Sequence, residues 1–145
     1  MKSVSEAIVL TQGKKAGIIN RVSVRYAESL LHPGENVIAA VIANIKTKRN
    51  NFPGVVLITT QNVMAVCGLP GIKRCITLPV EELLHCEEIS SAIQYKALFS
   101  TRKNMFAMTT GPDLGDRFTT HIAQLNRENE EIKLQKKAAA IFNSK

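Results

Sequence analysis

The sequence predicts a mainly β fold with helices: seven short antiparallel strands in a small sandwich or barrel, followed by one C-terminal amphipathic helix. Three observations carry this expectation. Between Val37 and Thr110, runs of Val, Ile, Thr and Phe alternate at regular spacing with clusters of Gly, Pro, Asn and Ser, the pattern of hairpin-linked strands. Within that region, Phe52 to Leu78 reads as three consecutive strands separated by Gln61-Asn62 and by Leu69-Pro70-Gly71, a meander. After Pro112 the apolar period lengthens from two residues to that of a helix. A chain of 145 residues is long enough for one domain with its own core.

Taken in order, Ser3 or Ser5 can cap a short helix carrying Val4, Ala7 and Ile8, which Gly13-Lys14-Lys15 would end. Ile18, Val22, Tyr26 and Leu30, joined by Ile19, recur at helical spacing over residues 16–31, and His32-Pro33-Gly34 stops them. Strand one covers residues 37–45, with Val37, Val41 and Ile45 on one parity and the other parity turning polar at Asn44 and Lys46. It is therefore buried on both faces at first and on one face later. The polar loop of residues 46–51 closes a hairpin with strand two, which starts at Gly54 and runs to Thr60; strands three and four occupy residues 63–67 and 72–78. Strand five is expected over residues 83–89 and a turn at Ser90-Ser91. Strand six presents Ile93, Tyr95, Ala97 and Phe99 on one side, and strand seven spans residues 105–110. Asp113 follows Pro112 as an N-cap, with Asp116 placed to complement the helix N-terminus. Leu114, Phe118, Ile122, Leu125 and Ile132 form the apolar stripe that would plug the barrel, and residues 136–145 lose the pattern and fray.

Bulk properties narrow the functional classes. The net charge of +7 invites an anionic partner, but it is spread as +2, +4 and +1 over residues 1–35, 36–112 and 113–145, with no long basic block. Aromatic residues make up 5% and Trp is absent, which argues against a base-stacking surface and disfavours nucleic acid. Cys67, Cys75 and Cys86 are odd in number and lack CxxC spacing, so they read as buried thiols in a reducing compartment rather than as disulfides or zinc ligands. His32, His85 and His121 have no metal-site spacing, and no phosphate-binding glycine motif or nucleophile–base pairing occurs. No enzyme activity, metal or cofactor is expected. The longest apolar run, residues 37–43, is far below the roughly 20 residues of a membrane span, which points to a soluble, cytoplasmic protein.

Seven antiparallel strands followed by one amphipathic helix is the element order of the pleckstrin-homology (PH) superfold. The chain resembles bacterial PH-like domains in three places: His32-Pro33-Gly34-Glu35 before strand one, the run from Gly54 to Asn62 across strand two, and Leu78-Pro79 followed by Glu82-Leu83. The resemblance covers about residues 32–135, leaving 1–31 as an N-terminal helical extension and 136–145 as a tail. It implies a partly open barrel of two sheets, closed at one end by the C-terminal helix.

It also implies where partners would dock. Lys46, Lys48 and Arg49 fill the first loop, Lys73 and Arg74 follow the strand three–four turn, and Arg102 and Lys103 form the six–seven turn. In PH-like domains these loops surround one open end, so seven cations would gather there to hold an anionic lipid surface. That lipid contact is the alternative expectation; the first is a non-enzymatic interaction module that assembles with itself, or with a protein partner, through exposed sheet edges. Strand one has no internal charge or proline to discourage pairing, so Val37, Ile38, Ala39, Val41 and Ile42 are the expected interface of a cyclic homo-oligomer, with the 16–31 helix as the alternative cover for that face.

Overall fold

The structure is a computed structural model that describes residues 3, 4, 6–8, 18–69 and 71–143. The expected end of the first helix at Gly13-Lys14-Lys15, the start of the next at Ala16 and the turn residue Pro70 fall outside them. Helix α1 spans Ile18–Leu30. Seven strands follow: β1 Val37–Lys46, β2 Asn51–Thr59, β3 Asn62–Leu69, β4 Ile72–Pro79, β5 His85–Ser90, β6 Tyr95–Ser100 and β7 Met105–Thr110. A short 3₁₀ turn, Val80–Glu82, joins β4 to β5, and helix α2 runs over Pro112–Asn143.

All neighbours are antiparallel, in the order β4-β3-β2-β1-β7-β6-β5. β1 is the hinge of this arrangement. It pairs with β2 along its length but with β7 only at Asn44, Ile45 and Lys46, so the two halves of the sheet fold over one another. One face of every strand feeds a common core that includes Val41, Phe52, Val56, Leu78, Tyr95, Phe99, Phe106 and Met108, which Phe118, Ile122 and Leu125 of α2 close. The result is the partly open barrel with a helical plug. Its open edges are β4 and β5, each paired on one side only.

A second apolar layer lies on the outer face. Val37, Ala40, Val55, Leu57, Met64 and Val66 are covered there by Val24 and Ala27 of α1 and by Val4, Ala7 and Ile8. Residues 4 and 6–8 are helical. Ser3 caps them as expected: its Oγ accepts from the Glu6 N–H at 3.1 Å. Both faces of β1 are thus filled by the chain itself, which explains why it is apolar on both parities.

Several sequence expectations need correction. Of the expected stripe, Tyr26 and Leu30 pack half-buried on the outer layer, but the residues α1 buries are Ser23, Val24 and Ala27, while Val22 is 43% exposed. Small residues let the helix approach: a Cβ on Gly68 would stand 2.8 Å from that of Tyr26 and 3.0 Å from the Val22 carbonyl. The Gly68 N–H donates to Ser23 Oγ at 2.9 Å. Close backbone contact, rather than the widest apolar stripe, sets the helix rotation. The register of β1 against β2 shifts between Val37 and Ala39; this bulge turns Val37 to the outer layer while Ala39, Val41 and Ile45 face the barrel. β2 begins at Asn51 rather than Gly54, with Pro53 opposite Asn44. Leu83 precedes β5 and Ser90 belongs to it. Ile93 is 89% exposed in the β5–β6 turn rather than inward in β6. α2 begins at Pro112 and stays helical to Asn143, through the segment expected to fray; the side chains of Asp113, Leu114 and Asp116 lie outside the described residues. Cys67 and Cys86 are buried but Cys75 is exposed. Burial, with Glu88 nearby, pushes the Cys86 thiol up to about 12.

The entry to the barrel is one hydrogen-bonded knot. His32-Pro33-Gly34-Glu35 is a tight turn closed by the Glu35 N–H to the His32 carbonyl at 3.0 Å, with Gly34 at φ +83°, the third position of a type II turn. The turn aims the buried Glu35 carboxylate at Thr59 and Asn62. It accepts from Thr59 Oγ1, from Asn62 Nδ2 at 2.9 Å and from the His32 N–H at 3.0 Å. Burial alone would raise the carboxyl pKa. The hydrogen bonds from Thr59, His32 and Asn62 outweigh it and hold the group below the usual carboxylate range.

The packing of α2 and the Glu35 knot can each be tested by stability. Phe118→Ala or Ile122→Ala should cost roughly 2–5 kcal/mol, as large-to-small changes in filled cores do, read from denaturant midpoints; unchanged midpoints in both would mean that α2 is not docked on the barrel. Because the Glu35 pKa is depressed by folding, its contribution is complete above the unfolded-chain value of about 4.3 and drains as pH falls below it. Glu35→Gln should therefore be less stable than the parent at neutral pH and lose less on acidification below about pH 4, as thermal scans across that range would show.

Candidate anion-binding surface

The β1–β2 and β6–β7 turns are built alike. In Thr47-Lys48-Arg49-Asn50, Thr47 Oγ1 accepts from the N–H groups of Arg49 at 3.4 Å and Asn50 at 3.1 Å, and the Thr47 N–H donates to the Asn50 carbonyl at 2.8 Å. In Thr101-Arg102-Lys103-Asn104, Thr101 Oγ1 accepts from Lys103 at 3.3 Å and Asn104 at 3.2 Å, and the Thr101 N–H donates to the Asn104 carbonyl at 2.8 Å. A threonine hydroxyl takes the part of a backbone acceptor in each. The two central side chains are left out of the turn's bonding, and in both turns they are cations.

Topology brings these turns together, because the end of β1 is flanked by β2 and by β7. They face each other across an open hollow of about 360 Å³, whose lining includes Lys48, Arg49, Arg102 and Lys103, with Ile76 of β4 and Met105 of β7 as its apolar part. Among the described residues, none of these four cations lies in an ion pair; the carboxylates of Glu35 and Glu87 pair elsewhere, with His32 and His85. Four positive charges stand around one concavity without a neutralising carboxylate, an arrangement that attracts anions and is screened by salt.

The remaining expected cations divide. Lys46 is exposed at the end of β1, one residue before the first turn. Arg74 reaches the same end of the barrel, its guanidinium carbon 5.9 Å from the Phe52 ring centroid. Lys73 does not join them: its ammonium lies 5.5 Å from the ring centroid of Tyr26 on α1, on the sheet's outer side. Consecutive strand residues point to opposite faces, so Lys73 and Arg74 lie on opposite faces of β4.

α2 adds cations beyond those expected from the loops. Lys133 and Lys136 line a second hollow, of about 350 Å³, with Arg102 and Lys103 on one side and Glu81 and Glu82 on another. The β6–β7 turn therefore belongs to two adjoining concavities. A helix that frayed from residue 136 would still hold Lys133 but not Lys136, which only the helix's continuation brings to the site.

The expected oligomer interface is placed differently. β1 is an interior strand. Ala39 and Val41 face the barrel core, Val37 is buried in the outer layer, and Ile38 and Ile42 are half-buried against the two cores. The face that required either a helix or another subunit is covered by α1 and by Val4, Ala7 and Ile8.

No family model matches the chain, and no curated protein does. Solved structures do. The chain is similar to the Vps36 N-terminal PH domain, with a TM-score of 0.54 at 12% identity over 68% of this chain and 84% of that one. It is also similar to the C-terminal domain of an unknown protein from Leishmania infantum, with a TM-score of 0.52 at 13% identity over 72% and 93%. Likeness at this identity carries the fold, which is PH-like.

If the threonines shape the basic turns, Thr47→Ala and Thr101→Ala should each cost roughly 0.5–1.5 kcal/mol, the net worth of one hydrogen-bonded group. Serine at either site should restore most of that loss in denaturant titrations.

Proposed function

We propose that this chain is a non-enzymatic PH-like interaction module that binds phosphate on anionic lipid headgroups through the basic end of its barrel. The observation that carries this reading is the pair of like-built turns, each presenting two cations, across one hollow. The guanidinium groups of Arg49 and Arg102 suit bidentate contact with phosphate, and Lys48 and Lys103 add point charges. Residues 32–135 act as the PH-like unit and 1–31 as its N-terminal extension, of which Val4, Ala7, Ile8 and α1 lie over the outer face. Among the described residues, no helix is long and apolar enough to cross a membrane. Contact in this reading is peripheral, at the anionic cytoplasmic leaflet. Nucleic acid is disfavoured: Phe52, Tyr95, Phe99, Phe106 and Phe118 are interior and cannot stack on bases.

Self-association is the second reading, and edge strands support it in place of β1. β4 offers exposed Lys73 and Arg74, whereas β5 carries Glu87 and Glu88 beside Ile89, which is 63% exposed. The β4 of one copy thus complements the β5 of another, in a head-to-tail contact that closes as a ring. Such an assembly would leave a protein partner the remaining surface.

The lipid reading is tested by sedimentation with phosphatidylcholine vesicles, with and without phosphatidylserine. The parent should sediment only with the anionic vesicles, and less as salt rises from low ionic strength. Lys48→Glu, Arg49→Glu, Lys103→Glu together should abolish sedimentation while leaving the thermal midpoint in place. A parent that ignores anionic vesicles at low salt defeats the reading. For self-association, light scattering at micromolar concentration should give a mass several times 15.9 kDa; a monomer there rules it out.

A further inference from the structure

The end of α2 presents an unusual sequence of surfaces. Lys133 and Lys136 line the hollow shared with Arg102 and Lys103, so the helix lies beside the basic β6–β7 turn at this level. It then continues as helix for seven more residues, to Asn143, about 10 Å at 1.5 Å per residue. After Lys137 the helix carries no charge: Ala138-Ala139-Ala140-Ile141-Phe142-Asn143. Ala138, Ala139 and Ala140 are exposed, and Ile141 is 62% exposed. Among the described residues, Ile132 is the last of α2 that packs against the barrel core.

The geometry points to a bilayer as the surface that this end meets: the uncharged last turns of α2 enter the interfacial region of an anionic membrane while the adjoining cations hold its headgroups. This inference rests on the phosphate-binding reading and adds a second, apolar contact to it. The charge pattern favours this occupant. Arg102, Lys103, Lys133 and Lys136 beside one end of the hollow, with an uncharged, apolar helix end beyond them, match a surface that is negative outside and apolar a few ångströms deeper. A protein pocket would have to supply both features in the same order.

The absence of Trp from the chain makes the test direct. Ile141→Trp introduces a single indole fluorophore at the helix end, in a side chain that the fold leaves exposed. With phosphatidylcholine–phosphatidylserine vesicles, its emission should shift to the blue and be quenched by lipids brominated near the headgroup. Ile141→Asp should weaken vesicle partition about tenfold or more, the effect of withdrawing one large apolar side chain from lipid. It should leave binding of soluble inositol hexakisphosphate unchanged, whereas the Lys48→Glu, Arg49→Glu, Lys103→Glu protein should lose both.

The outcomes separate the two claims. Vesicle binding with solvent-like emission from the Ile141→Trp protein, and no effect of Ile141→Asp, overturns the insertion and leaves the headgroup reading intact. Binding of inositol hexakisphosphate without any vesicle binding overturns the insertion and redirects the basic turns to soluble phosphates. Failure to bind either ligand overturns both.

Discussion

A single buried carboxylate holds the entrance of this fold together. Glu35 gathers hydrogen bonds from His32, Thr59 and Asn62, residues far apart in sequence that stand where β1 begins and where β2 turns into β3. Such a group is costly to bury and is retained because its acceptor oxygens have donors. Thr59 serves both sides of the arrangement. It donates to Glu35 and, through the same oxygen, accepts from the N–H groups of Gln61 and Asn62, closing the β2–β3 turn. With Thr60 and Asn36 also joined across the gap, the knot sets how β1 enters the sheet, beside the bulge that sends Val37 outward and Ala39 inward. The residues by which the chain resembles PH-like domains, around Glu35 and around Asn62, are thus the two halves of one contact.

From that starting register, β1 divides the protein into two apolar layers. Its inward residues meet α2 across the barrel, and its outward residues meet α1 and the N-terminal helical turn. Both faces of β1 are therefore covered within the chain, while its pairing with β7 is confined to Asn44, Ile45 and Lys46. A strand apolar on both faces needs two covers, and this chain supplies both. The outer cover depends on close contact at Gly68, where Ser23 takes the place that a larger residue would block. α1 is accordingly bound to the sheet by geometry as well as by burial.

The strand pattern is legible in the sequence because a period of two is a local property, and all seven strands appear in the expected order, with shifted starts at β2, β5 and β6. The capping by Ser3 is legible for the same reason. Features that depend on tertiary contact are not. The bulge at Val37 reverses a parity that looks continuous, the rotation of α1 is decided by a glycine 45 residues away, and Ile93 sits at a turn although its parity matches Tyr95 and Phe99. The far end of α2 is hidden from an apolar-stripe criterion, because Ala-rich and Lys-rich sequence sustains a helix without a stripe. Of the basic site, the residue types are readable, but the divergence of Lys73 from Arg74 requires knowing the face each occupies.

The basic turns also carry a sequence signal of their own. Thr47-Lys48-Arg49-Asn50 and Thr101-Arg102-Lys103-Asn104 share a frame with Ser91-Ala92-Ile93-Gln94, where Ser91 Oγ accepts from Ile93 and Gln94 in the same way. The turn's side-chain bonding uses the first residue's hydroxyl and is indifferent to the side chains of the two central ones. Folding therefore places no demand on those central positions. Lys and Arg occupy them in two turns that topology sets side by side, and Ala and Ile in the third. Charge at these tips contributes little to stability and raises the local repulsion that any anion would relieve, which makes the basic end the part of this surface whose composition the fold alone does not explain.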